Sequence, residues 1–334
     1  MAEHLPIATF VAVTSLSTKV QLALDEARML VLGCQALIGF EFRSVFEKGF
    51  EKLPALDQHL KLASVTSLVL AFGLLLTPAT YHRIVEGGED TETFQRVLSG
   101  WMWPAVLPFL LGLSTDLFVA TNPFLGMGVG LAIAVISFLF GLTLLYGLEF
   151  VQRRRRDEHI GALEAMEKKE EGKGTSVEEK VRHVLTEARL VLPGAQALLG
   201  FQLATFLMES FEKLPDSSKM MHLASTCSVA LAVIFLLTPA AYHRIVERGE
   251  TTSHMHKVAS AMVLAATVPL ALGICGDFFV VLRKVLHSDA AAAAGSAGML
   301  LVVYGMWFGV TGVAKLRRAR FRPEQRGQQQ AASA

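Results

Sequence analysis

The chain has 334 residues, 52% of them hydrophobic and 18% charged, with a mean hydropathy of +0.44 and a formal net charge of +1. A soluble domain carries roughly a quarter charged residues, so this chain is short of water-facing surface. Its near-neutral charge, with basic residues grouped beside apolar runs instead of along a stripe, excludes nucleic acid as a partner.

In chain order, the first apolar stretch, Leu5 to Leu16, is short, contains Pro6 and has no Lys or Arg before it, so it does not read as a signal peptide. Four apolar segments follow, near 28–46, 61–81, 97–119 and 123–150. Each approaches the 20 or so residues that a membrane helix needs, and none alternates as a strand would. Thr121-Asn122-Pro123 reads as a cap with proline at the first position of the fourth helix. The stretch from Gln152 to Arg182 is dense in Glu and Lys and reads as a solvated linker. Four more apolar segments lie near 189–209, 222–242, 257–282 and 290–314, with Pro193-Gly194 expected to bend the first. A basic group follows, and the tail from Pro323 reads as disordered.

The two sets of four are copies. Glu26-Ala27-Arg28 recurs 161 positions later as Glu187-Ala188-Arg189. Without a gap, the same shift carries Phe50-Glu51-Lys52-Leu53-Pro54 onto Phe211 to Pro215, and Tyr81-His82-Arg83-Ile84-Val85-Glu86 onto Tyr242 to Glu247. Such a match marks a duplication. The expected fold is all-α: two parallel tandem repeats of a four-helix transmembrane bundle, about eight spans. The expected divisions are 1–151, a linker 152–182, a second repeat 183–316 and a tail 317–334. Arg153 to Arg156 follow the fourth span, and Arg317, Arg318, Arg320 and Arg322 follow the eighth, which places both termini in the cytoplasm. Arg283 and Lys284 are the exception, outside by this count.

Polar residues inside the spans are the functional candidates, because burying them is costly. Glu26, Arg28, Glu187 and Arg189 share a level with Tyr81, His82, Arg83, Tyr242, His243 and Arg244 at the cytoplasmic helix ends. They suit either an interfacial brace or an access site for protons or cations. Gln35 and Gln196 lie deeper and are expected to hydrogen-bond between helices. Thr77-Pro78 and Thr238-Pro239 should bend the second spans, the hydroxyl satisfying a freed carbonyl. Asp116 and Asp277 fall near the outer interface. Glu41 and Arg43 occur in the first copy alone, where Arg43 is a candidate to neutralise Glu41 or Asp116; Gln202 and Ala204 replace them in the second. His254 and His256 form a weak metal-type pair. Cys34, Cys227 and Cys275 lie in apolar runs without CxxC spacing and read as small buried hydrophobes. No catalytic motif, cofactor site or metal site is expected, and so no enzyme.

The pattern Glu-x-Arg, Gln-x-Leu-x-x-Phe, Thr-Pro-x-x-Tyr-His-Arg and Asp-x-x-Phe resembles a bacterial four-helix integral membrane family of unknown function, whose members are often labelled sodium:proton antiporter. It rests on Glu26, Arg28, Gln35, Phe40, Pro78, Tyr81, His82, Arg83 and Asp116, and on their counterparts from Glu187 to Asp277. The resemblance implies an inner-membrane protein that handles sodium, potassium or protons among membrane lipids, with a homo-oligomer left open. The alternative is a non-transporting membrane scaffold or stress-linked interaction protein, because the deepest polar groups are glutamine, serine and threonine.

Overall fold

The computed structural model describes residues 16–89, 91–143, 176–247 and 251–318, and among these it is helical, without strands. The first repeat comprises α1 (Leu16–Ser44), α2 (Ala55–Tyr81), α3 (Glu92–Leu125) and α4 (Met127–Leu142). The second comprises α5 (Val177–Thr205), α6 (Asp216–Ile245), α7 (Ser253–Leu286) and α8 (Asp289–Tyr304). A π-helical turn, His82–Glu86, extends α2, and another, Gly305–Val310, extends α8. Residues 1–15, 152–175 and 319–334, which hold the N-terminal stretch, most of the linker, Arg153 to Arg156, Arg320 and Arg322, lie outside the described residues.

Among the described residues, five helices are long and apolar enough to cross a membrane: Ala55–Glu86, Glu92–Pro123, Asp216–His243, Ser253–Leu286 and Asp289–Arg318. That is fewer than the eight read from sequence. The described part of α4 is a shorter apolar helix, α1 carries too many charged residues, and α5 is too polar, with Arg189, Gln196 and Gln202 in its less charged half. The reason is position. α1 and α5 pack on each other at the centre, where neighbouring helices cover many of their polar groups, so their composition does not resemble that of a lipid-facing helix. α4 and α8 lie at the edges and bury little beyond Gly130, Ala134, Ala292 and Val303.

Helix limits follow local chemistry. The hydroxyls of Thr91 and Thr252, equivalent in the repeat, accept from the backbone N–H of Phe94 and Met255 at the starts of α3 and α7. α5 begins at Val177, inside the stretch read as linker, because Ser176 and Glu179 form a reciprocal capping box there. The helix is continuous through Pro193. Pro123 does not start α4. It closes α3, and the chain reverses at Gly126, whose φ of 78° suits glycine. Its counterpart His287 also has positive φ, 51°, so one turn serves both copies.

One hydrophobic cluster joins the repeats. At the α1–α5 crossing, a Cβ on Gly39 would fall 3.2 Å from the Cα of Leu198, and the rings of Phe40 and Phe201 meet edge to face at 6.5 Å. Within each repeat, Gly112 lies under Leu68 and Gly273 under Val229. Such small-residue contacts let membrane helices approach closely. The repeats differ in how they lean on each other: α7 packs against α2, whereas α3 makes no comparable contact with α6.

Candidate functional site

The second, third and first helices of each repeat converge near one end of the bundle, where α1 and α3 finish and α2 begins. There Lys61 Nζ lies 2.6 Å from Glu41 Oε1 and 3.2 Å from Asp116 Oδ1. Glu41 is 1% exposed. The free oxygens, Glu41 Oε2 and Asp116 Oδ2, are buried without hydrogen-bond partners. Two carboxylates thus share one ammonium, leaving a formal charge of −1 and two oxygens able to accept a proton or a small cation. Arg43, the expected partner, instead pairs with Glu47 at 3.1 Å and is 40% exposed. It sits near the end of α1 on its outward side, and Lys61 reaches the carboxylates first.

Equivalent positions in the second repeat form a triad of other side chains. Gln202 Nε2 donates to Asp277 Oδ2 at 2.7 Å, and His222 Nδ1 lies 2.8 Å from Asp277 Oδ1. His222 Nε2 lies 3.1 Å from the carbonyl of Gln202. Both ring nitrogens face acceptors, an arrangement satisfied by an imidazolium with two N–H donors. Nearby, Asp57 accepts from Asn122 Nδ2 at 2.9 and 3.1 Å, and its counterpart Ser218 meets Arg283 at 3.0 Å. Sequence reading missed Lys61 and His222 because both sit near the starts of their spans. The signal was the 161-residue shift, which puts them in register.

The opposite end carries the Tyr-His-Arg motifs. His82 Nδ1 lies 2.6 Å from Glu187 Oε1, Arg83 Nε donates to Glu187 Oε2, and Arg83 Nη1 donates to Ser260 at 3.0 Å. Glutamate and arginine thus pair, and the pair crosses from one repeat to the other. His82 also stacks on Phe94 at 4.1 Å and lies 6.3 Å from the ring of His183. Arg318 pairs with buried Glu86, and Lys180 with Glu89, so the second repeat encloses the first motif. Beside it, a crevice lined by Thr80, Arg83, Glu187, Val191 and Leu270 offers water about 10 Å³, the room of about one molecule.

The second motif is more open. Tyr242 and His243 are half-buried, and Tyr242 OH lies 3.1 Å from His254 Nδ1. His254 also approaches Glu247, while His256 faces Ser260 and Gly88. The His254 and His256 pair therefore splits between the two motifs, and no group of three His, Cys, Asp or Glu among the described residues could hold a metal. The side chains of Glu26 and Arg244 lie outside what is described. Arg189 is exposed, and Arg28 and Tyr81 are half-buried. Thr77 and Thr238 donate to the carbonyls of Gly73 and Ile234, each one residue before the carbonyl that the proline frees. Cys34 and Cys275 are buried, as their apolar surroundings suggested, but Cys227 is exposed.

The glutamines do not pair between helices. Gln196 is exposed, and Gln35 is fully buried with neither amide atom hydrogen-bonded. Gln35 lies flat on α5 at Gly194, where a Cβ would come within 1.9 Å of its Oε1.

The profile of a family of unknown function, DUF6328, matches residues 16–148 and again 170–311. The chain belongs to DUF6328. It carries the DUF6328 unit twice, and the two matches divide the molecule where the internal repeat does. No curated protein and no solved structure matches the chain.

Outside the apolar spans, the capping box holds the Glu179 carboxyl below the usual glutamate range, chiefly through the backbone N–H of Ser176.

Proposed function

We propose that this protein spans the cytoplasmic membrane eight times, as two parallel four-helix repeats with both termini inside, and exchanges protons for a monovalent cation. The observation that carries this reading is the Glu41–Lys61–Asp116 triad. Buried ionisable groups in a membrane bundle are expensive to hold, and such groups commonly mark ion or proton paths. One cation shared by two carboxylates leaves a site that gains a proton or an alkali ion at little structural cost. Membrane lipids would cover α4 and α8.

The test is proton flux in proteoliposomes of purified protein, driven by added sodium or potassium. Cation-dependent flux that Asp116→Asn abolishes is the expected result. A second reading, a non-transporting membrane scaffold, draws support from the tight packing between the repeats, where the crevice beside Arg83 and Glu187 has room for about one water. Absence of flux from folded protein at every pH around neutrality would select that reading.

A further inference from the structure

Gln35 is fully buried, and both its donor and its acceptor are without partners among the described residues. An orphaned buried polar group is costly, and the packing around this one is built to receive it. Gly194 leaves α5 bare where the amide lies, and even a methyl group there would collide with it. A cation would satisfy only Oε1. Water both donates and accepts, so it answers both amide atoms at once.

The position gives that water a purpose. Along α5, Glu187 lies about 10 Å from Gly194, and along α1, Glu41 lies about 9 Å from Gln35. The amide therefore sits midway on the α1–α5 seam, between His82–Glu187 at one end and Glu41–Asp116 at the other. The crevice beside Arg83 and Glu187, enclosed by α2, α5, α6 and α7, reaches Val191 on α5, about one helical turn from Gly194. Beyond Gln35 the next buried seam residue is Ile38.

We infer that Gln35 is a water-holding station that links the two buried ionisable clusters, and that protons cross the protein along the α1–α5 seam. This rests on the transport reading for its consequence, but water at Gln35 can be tested without transport. In a background with Cys34, Cys227 and Cys275 replaced by alanine, Gln35→Cys and Ile38→Cys are exposed to silver ion and then unfolded, and the thiols left free are counted. Silver capture at Gln35→Cys but not at Ile38→Cys is expected. Protection of both thiols, in protein that elutes as folded, would overturn the station whether or not the protein transports. In proteoliposomes, Gln35→Leu should slow proton flux by about tenfold or more. Unchanged flux in that variant would overturn the route. Silver capture at Gln35→Cys with no flux from the unmodified protein would uphold the water site and reject the transport reading instead.

Discussion

The two copies meet the same geometric requirement with different chemistry. In the first, Glu41, Lys61 and Asp116 join three helices through one ammonium and two carboxylates, and two oxygens stay unengaged. In the second, Gln202, His222 and Asp277 occupy the same positions, and both oxygens of Asp277 have donors. The backbone arrangement is common to both copies, while the two unengaged carboxylate oxygens belong to the first alone. The motif ends diverged in the other sense: His82 and Arg83 are buried under the second repeat, whereas His243 is half open.

The largest effect is expected from removing Lys61. Lys61→Met leaves two buried carboxylates without a cation, and removing one partner of a buried pair costs about 3–5 kcal/mol. Its thermal transition in detergent should therefore fall well below that of the unmodified protein. Grafting the second triad onto the first, as Glu41→Gln with Lys61→His, should recover most of that loss. A double variant no more stable than Lys61→His alone would show that the two triads are not interchangeable. Next, Glu187→Gln removes the anion between His82 and Arg83 and should cost about 3 kcal/mol, while His243→Ala at the open motif should stay within about 1 kcal/mol. Equal losses would mean that the motifs are equally enclosed.

A smaller contrast concerns the glycines. A Cβ on Gly273 would lie 2.5 Å from Val229 and 2.8 Å from the carbonyl of Ser225, whereas on Gly112 it meets chiefly the Leu68 side chain at 2.8 Å. Gly273→Ala should cost about 1–3 kcal/mol as an overpacked contact, and Gly112→Ala less, because leucine can move and a backbone carbonyl cannot. The smallest effect is expected at the start of α5, where Ser176→Ala should cost about 1 kcal/mol. Because Glu179 has a depressed pKa, its share of the cap is present above the ordinary glutamate pKa of about 4.3 and is lost as pH falls through the lower folded value. The penalty of Ser176→Ala should accordingly shrink in acid, as thermal transitions at neutral and acidic pH would report.

Much of the architecture was legible because a duplicated chain repeats its own punctuation. Pro78 and Pro239, Gly112 and Gly273, and the two Tyr-His-Arg motifs fixed the register of the helices. What could not be read was which faces meet. Arg43 and Lys61 are both basic and close to the same end, and only the rotation of α1 and α2 about their axes decides which reaches Glu41. The two glutamines share the context Gln-Ala-Leu-x-Gly-Phe, yet one is buried and the other exposed, because the α1–α5 seam is not symmetric about them. The apolar runs of α1 and α5 read as spans in the sequence, yet both helices are less apolar than the five long and apolar enough to cross a membrane.

The pairing of Arg318 with Glu86 has a consequence in the order of synthesis. The first motif emerges early, but the arginine that neutralises its buried glutamate is among the last described residues of the chain to be made. Until then Glu86 lacks the cation that meets it once the second repeat has closed over the first motif. A chain cut short anywhere before Arg318 would lack that pairing. Joining two genes thus tied the maturation of the first half to the completion of the second.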